Sequence, residues 1–355
     1  MVAASWVLYG ANGYTGELIA RRAAAAGARP VLAGRSAEAV SRLAAELGFE
    51  HRVFALDDPA ALDAGLEGMT AVLHCAGPFS RTAVPMAEAC LRARAHYLDI
   101  TGEIEVFETL AARTAEARRS SVTLLPGVGF DVVPSDCLAA HLHRRLPSAT
   151  HLALGFQGSG ALSRGTATTM VENLHRGAAV RRGGHIVPVP AAWKTRGIDF
   201  GDGPTSAITI PWGDVATAYY TTGIPNVEVY MAAPAALRTI LKLSRPLGPL
   251  LGSRPVQWFL KGRIRSGPAG PSAAHRRRAR SRLWGEARDA REVVVSRIET
   301  LEGYELTART ALAAVERVLA GGVAAGFQTP GLAFGPDFVL EIEGTTRQDE
   351  PPRPV

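Results

Sequence analysis

Short apolar runs alternate with glycine-marked breaks through the first third of the chain. Trp6-Val7-Leu8-Tyr9 stops at Gly10-Ala11-Asn12-Gly13-Tyr14-Thr15-Gly16, and a helical pattern follows at once. Similar runs recur at 30–33, 52–56, 71–76, 96–100 and 122–125, each separated from the next by a stretch of helical periodicity. Ser36 and the Asp58-Pro59 pair stand where two of those helices start, with Ser or Asp as cap and Pro at the first position. Repeated β-α units of this length predict a parallel sheet with right-handed crossovers over residues 1–133. From about Pro134 the pattern changes. A helix over 135–146, capped by Ser135, precedes runs read as strands at 151–156, 186–190, 207–211, 215–220, 227–232, 292–299 and 304–308, with a helix at 168–176. Residues 134–310 therefore predict a second, α+β domain of mostly antiparallel sheet. A helical pattern at 311–320 opens a third segment, 311–348, and the Pro- and charge-rich end 349–355 reads as a frayed tail.

The first break carries chemistry. A strand that ends in glycines and opens a helix gathers backbone N–H groups and the positive end of the helix dipole around one point, which suits a phosphate. Gly10 allows the tight turn, Gly13 a close approach of backbone to a pyrophosphate, and Gly16 close packing of helix on strand. The turn from Gly10 through Ala11, Asn12, Gly13, Tyr14 and Thr15 to Gly16 is thus a candidate dinucleotide site, and the fold class expected is α/β with an N-terminal Rossmann-type sheet. The second strand selects the cofactor. It ends at Gly34-Arg35-Ser36, where an NAD site expects an Asp or Glu for the ribose 2′-hydroxyl. Arg35 instead suits a 2′-phosphate, to which Ser36 can add a hydroxyl, so the expected cofactor is NADP(H). Ligands of such sheets lie beyond the carboxyl ends of the strands, which places Gly10, Arg35, Asp57, Gly77, Thr101 and Asp131 near one crevice.

Composition narrows the setting. The chain has 355 residues, 47% of them hydrophobic, enough for two lobes with sizeable cores. No apolar run approaches the ~18 residues of a membrane span, and no charged leader precedes the first strand, so a cytoplasmic protein is expected. Cys75, Cys90 and Cys137 are far apart and read as reduced thiols, and His74-Cys75 and His141-Leu142-His143 lack the spacing of a metal site. The net charge of +6 is unevenly spread: between Val229 and Gly285 twelve Lys and Arg face no Asp or Glu, leaving the rest of the chain acidic. Within 235–282, Arg238, Lys242 and Arg245 recur at helical spacing opposite Leu237, Ile240 and Leu241, and Trp258, Phe259 and Leu260 adjoin Lys261. This basic-apolar insertion suits an anionic membrane surface or an acidic carrier protein, or else a lid over the substrate pocket. Nucleic acid is not expected, because the run from His275 to Arg282 has no aromatic interleaving.

Together, YGANGYTGELIA, AGRS, HCAGPF, HYLDITGE, LLPGVGFDVVPSD, GTATTM, WGDVATAYYTTGIPNVEVY, LWGEARDA and TPGLAFGPDF give the chain, over nearly its whole length, a resemblance to the saccharopine dehydrogenase-like oxidoreductases, which include bacterial trans-acting enoyl reductases. The resemblance implies an NADP-binding Rossmann domain, a second domain over the nicotinamide, and a C-terminal segment 311–348 packing back on the first lobe. It carries over Gly10, Gly13, Gly16 and Arg35 as cofactor residues and Ala76, Gly77 and Pro78 as backbone beside the cofactor. Thr101, Gly102, Glu103 and Asp131 carry over as crevice residues. Glu103 and Asp131 are the candidate proton donors, with Tyr14, Tyr219 and Tyr220 as rivals. The expected function is NADPH-dependent reduction of an activated C=C bond in an acyl or polyketide-like, small or carrier-bound substrate. Imine reduction of the saccharopine type and a non-catalytic NADP-binding sensor or scaffold are the alternatives. No tyrosine has a lysine four residues on, which argues against the carbonyl chemistry of short-chain dehydrogenases.

Overall fold

Trp6–Tyr9, Val31–Gly34 and Ala71–His74 are buried at every position, the mark of strands covered on both faces. The computed structural model describes residues 5–158, 162–173, 175, 177–243 and 248–355. The chain forms two units, Met1–Val133 with Tyr304–Phe334, and Pro134–Gly303 with Gly335–Val355.

The first unit alternates β1 (Trp6–Tyr9), α1 (Tyr14–Ala25), β2 (Val31–Gly34), α2 (Ala37–Leu47), β3 (His51–Val53), α3 (Pro59–Leu66), β4 (Ala71–His74), α4 (Phe79–Ala93), β5 (His96–Asp99), α5 (Ile104–Ala111), α6 (Thr114–Arg119) and β6 (Thr123–Leu125). The strands lie in the order β6-β5-β4-β1-β2-β3, and every pairing is parallel. β1 thus has β2 on one side and β4 on the other, so the winding reverses there, and a crevice opens where the two connections diverge. The expected caps are present: Ser36 accepts from Ala39 N, and Asp58 from Ala60 N and Ala61 N.

The second unit begins with α7 (Val133–Arg145), which starts before Ser135, so this serine lies inside the helix and does not cap it. There follow β7 (His151–Gln157), α8 (Arg164–Asn173), β8 (Ala178–Arg182), β9 (His185–Val189), β10 (Thr195–Asp199), β11 (Pro204–Thr209), α9 (Asp214–Thr222) and β12 (Asn226–Ala232). Then come α10 (Ala235–Leu243), α11 (Gly248–Leu251), α12 (Arg254–Arg265), α13 (Ala273–Arg278), β13 (Arg280–Arg288) and β14 (Glu292–Leu301). The expected strand at 215–220 is helical, as α9. Gly223, at φ +72°, closes that helix in the left-handed conformation, a stop signal that outweighs a six-residue apolar run.

The chain then enters α14 (Gly303–Leu319), β15 (Gly326–Phe327) and α15 (Pro330–Phe334) in the first unit, where β15 extends the sheet beside β6 in parallel. The expected strand at 304–308 is the first turns of α14. Leu306, Thr307, Thr310, Ala311, Ala314 and Val315 are buried at helical spacing. The return segment therefore runs over Tyr304–Phe334 where 311–348 was expected. Thr307 and Thr310 commit the start of α14 to this unit, since Thr307 Oγ1 accepts from Phe130 N at 2.9 Å and Thr310 Oγ1 donates to Val128 O at 2.8 Å.

The last residues go back to the second unit as β16 (Thr346–Asp349) and β17 (Arg353–Pro354), both antiparallel to β14, so the tail expected to fray is part of a ladder. The second sheet has ten strands, with the main order β10-β11-β12-β7-β13-β14-β16. β12 and β7 are parallel and the other pairings antiparallel. β13 contains Arg280 and Arg282, so the basic insertion expected over 235–282 ends inside the middle of this sheet.

Candidate functional site

The turn after β1 leaves no room for a side chain at Gly10 or Gly16. Gly10 sits at φ +80°, and a Cβ there would lie 2.8 Å from Ala76 N. A Cβ on Gly16 would lie 2.2 Å from Gly10 O, so α1 packs directly on the turn it follows. Gly13 N donates to Gly10 O at 3.0 Å, and Gly10 N and Ala11 N both donate to Ala33 O, which ties the turn to β2. Gly13 is the N-cap of α1 and brings no side-chain oxygen to the first helical N–H groups. Those groups and the dipole of a twelve-residue helix thus form a donor set of the kind a pyrophosphate requires. Asn12 is exposed, with Oδ1 over Gly34, where a Cβ would approach it to 2.9 Å. Thr15 is half-buried, and Tyr14 meets Tyr304 of α14 edge to face, ring centroids 5.1 Å apart.

Arg35, Ser36 and Asp57 are all exposed beyond the ends of β2 and β3. Ser36 Oγ is engaged with Ala39 N at 3.4 Å. Arg35 makes no hydrogen bond or ion pair among the described residues, so its guanidinium fork is available to an anion. Its charge and that of Asp57 both reach the Tyr9 phenol. Burial pushes that phenol up to about 12, Arg35 opposes the rise and Asp57 adds to it.

Beyond β4, Thr82 Oγ1 donates to Ala76 O at 2.7 Å and to Pro78 O at 3.1 Å, which fixes the Ala76-Gly77-Pro78 turn. Pro78 is the N-cap of α4 and has no side-chain oxygen to offer the first N–H groups. Glu103 supplies it: Oε1 accepts from Phe79 N at 2.8 Å and Oε2 from Ser80 N at 3.0 Å. Its own backbone N–H is held by Thr101 Oγ1 at 3.1 Å. The carboxylate expected to serve as a proton donor stands at the N-cap of α5 and caps the neighbouring α4 with its side chain.

Asp131, in the loop between β6 and α7, is half-buried beside Gly102, where a Cβ would meet Asp131 Oδ2 at 3.4 Å. It has no hydrogen bond or ion pair among the described residues, and burial pushes its carboxyl up to about 7. Asp99 anchors the neighbouring loops. Its Oδ1 accepts from Thr101 N and Gly127 N, both at 2.9 Å, and its Oδ2 accepts from Tyr97 OH at 2.6 Å. Burial raises Asp99 to about 6 against these bonds. Sequence reasoning passed over Asp99, whose only signal is an acid at the end of an apolar strand, and also Thr307 and Thr310, which hold the backbone on either side of Gly129.

His74, the last residue of β4, is fully buried with neither ring nitrogen hydrogen-bonded. It lies among Tyr9, Phe79 and Tyr97 at centroid distances of 5.6, 5.4 and 6.3 Å, and burial pushes it down to about 3. Tyr219 and Tyr220 belong to α9 of the second unit, with the Arg181 guanidinium 4.3 Å from the Tyr219 ring centroid. Among the described residues no three His, Cys, Asp or Glu side chains converge as a metal site would need.

Residues 6–125 match the family model of the saccharopine dehydrogenase NADP binding domain. A trans-acting enoyl reductase of Mycobacterium leprae is 34% identical over 148 residues, covering 39% of this chain and 35% of that protein. One from Mycobacterium tuberculosis is 33% identical over 147 residues, with the same shares covered. The chain thus matches about a third of the length of these relatives. Among solved structures, apo saccharopine dehydrogenase (L-Glu forming) from Saccharomyces cerevisiae has the same fold, with a TM-score of 0.66 at 11% identity over 98% of this chain and 100% of that one.

Proposed function

We propose that this chain, whose residues 6–125 are an NADP-binding domain of the saccharopine dehydrogenase type, is an NADPH-dependent reductase of an activated C=C bond in an acyl or polyketide-like substrate. The observation that carries the reading is Asp131, a half-buried carboxyl without an internal partner, at the same sheet's carboxyl edge as the glycine turn and poised near pH 7. Bound NADPH supplies a hydride, which an α,β-unsaturated acyl group accepts at its β-carbon. The electron pair displaced toward the carbonyl oxygen must return to form a C–H bond at the α-carbon, and that bond needs a proton. With its carboxyl pushed up to about 7, Asp131 keeps its proton in part of the molecules at neutral pH and is free of bonds that would restrain it, as a general acid should be. Glu103 is engaged at both oxygens, and its part is to position the Ala76-Gly77-Pro78 backbone beside the cofactor. The Gly10–Gly16 turn and the unpaired Arg35 fit the diphosphate and the 2′-phosphate. The name shared by the mycobacterial relatives supports the choice of C=C over C=N. Incubation with deuterated NADPH and a panel of enoyl thioesters and imines tests it. Label at a β-carbon is the expected outcome, label on an amine-bearing carbon would reassign the reaction to imine reduction, and label on a carbinol carbon alone would overturn both.

A second observation favours work at a bilayer surface. Trp258 and Phe259 on α12 are 76% and 60% exposed, and Ile240 and Leu250 are exposed nearby in sequence. Arg254 and Arg265 share the Trp258 face of the helix by their spacing and have no ion pair among the described residues, while Lys261 pairs with Glu172 at 2.6 Å. Aromatic rings flanked by arginines suit the headgroup level of an anionic membrane. Of the residues expected to form this surface, Arg245 and the side chains of Leu237 and Lys242 lie outside the described residues. Arg282 is tied to Glu299 at 3.0 Å and to Asp202. No helix among the described residues is long and apolar enough to cross a membrane. Flotation with anionic and neutral liposomes at low and high salt is the test. Binding to anionic vesicles lost in Trp258→Ala and Arg254→Glu is expected, and salt-sensitive binding to an acidic carrier protein alone would reassign the surface.

A further inference from the structure

The second unit contains a site of its own on one face of its sheet. Register aligns Asn226, His151 and Arg288 in one row across β12, β7 and β13, Glu228, Ala153 and Glu286 in the next, and Tyr230, Gly155 and Trp284 in a third. Alternation along each strand brings all nine residues to the same face. Ala153, short between two glutamates, leaves a hollow of about 360 Å³.

The charges around it are arranged in two tiers. Lys194 pairs with Glu228 and Arg196 with Glu286, both at 2.5 Å, so the carboxylates of the floor are already neutralised. Arg353 adds a further cation 3.7 Å from Glu286. Arg181 is buried, and its protons go to Val215 O and Gly184 O. Arg182 and Arg288 are exposed at the rim and make no ion pair among the described residues, though the charge of Arg182 reaches Glu228. Five cationic side chains thus line the hollow against two glutamates. The heads are held in place: Arg182 and Lys194 each lie 4.5 Å from the Trp193 ring centroid, and Arg196 lies 4.6 Å from that of Trp284. Arginines held against indole rings lose less freedom when they engage an anion, and their forks match phosphate oxygens. The volume is that of a small-molecule site.

We propose that this hollow binds a small phosphate-bearing anion, with Arg182 and Arg288 as its principal ligands and Lys194 and Arg196 behind them. The residues that line it include none of the Gly10–Gly16 turn and not Arg35.

The test is calorimetric titration of the full chain, saturated with NADPH, with inorganic phosphate, pyrophosphate and a sugar phosphate in low salt. Saturable one-to-one binding is expected, roughly tenfold weaker or more in Arg182→Ala and in Arg288→Ala. Both rim arginines are exposed, so the variants should fold, and circular dichroism checks this. A sugar phosphate binding more tightly than inorganic phosphate points to a metabolite, and equal binding to the free ion. His151 gives an independent readout. Its imidazole is held below the usual range by burial and by Arg288, with Glu228 opposing and Lys194 adding, and a bound anion should raise its titration midpoint. Absence of saturable binding, or binding that persists in the Arg182→Ala/Arg288→Ala double variant, would overturn the proposal.

Discussion

Glu103 holds the N-terminus of a helix to which it does not belong: its Oε1 accepts the Phe79 N–H at 2.8 Å, with Ser80 N at 3.0 Å from Oε2. Glu103 and Phe79 are 24 positions apart and meet because β4 and β5 are adjacent in the sheet. Glu103→Ala orphans both N–H groups and should lower stability by about 1–2 kcal/mol. It should also raise the KM for NADPH more than it lowers kcat, because the turn beside the cofactor loosens. Glu103→Gln, with one oxygen left, should recover part of both effects. Urea midpoints and steady-state kinetics check this, and a large fall in kcat with unchanged stability would make Glu103 a proton donor instead.

Asp131→Asn should lower kcat/KM by roughly 10²- to 10⁴-fold, the range of a general acid. The wild-type profile should fall above pH of about 7, where the carboxyl loses its proton, and the variant should lack that limb. Steady-state rates from pH 5 to 9 decide it.

Arg35→Ala should weaken NADP(H) binding by about 1.5–3 kcal/mol while leaving NAD(H) nearly unchanged, since only the former carries the 2′-phosphate. Fluorescence titration of both cofactors gives the ratio. An unchanged preference would remove Arg35 as the selector.

His74 makes the fold sensitive to acid. Its pKa drops from 6.5 to about 3 on folding, so its contribution to stability is complete above pH of about 6.5 and is lost as pH falls toward 3. Asp99 and Asp131 act in the opposite sense. Their folded values of about 6 and about 7 lie above the ordinary 3.8, so their contributions are complete below that value and are lost as pH rises through the folded values. His74→Phe keeps an aromatic ring among Tyr9, Phe79 and Tyr97 and removes two orphaned nitrogens. Between pH 6.5 and 4 the variant should gain on the wild type by roughly 1.4 kcal/mol per pH unit, read from urea midpoints.

What the sequence determines by itself is what short-range physics dictates. The glycine turn is legible because its requirements, a positive φ at Gly10 and the absence of a Cβ at Gly16, are set by atoms within or beside the turn. The parallel sheet is legible because strands covered on both faces must be apolar at every position, as Trp6–Tyr9 is. Short runs without that signature are ambiguous. Those at 215–220 and 304–308 have the composition of strands yet fold as helices, because Gly223 closes one and the burial stripe of α14 continues well past the other. Charge misleads in the same way. Arg282 counts as surface in a tally of residues, whereas in the fold it is half-buried on a strand and paired on both sides. Only the tertiary structure decides which acid is engaged and which is free. Glu103 and Asp131 look alike in sequence, two carboxylates after adjacent strands. One finds two backbone N–H groups within reach, the other finds none and is partly withdrawn from water, and solvation and hydrogen bonding to distant chain segments set that difference.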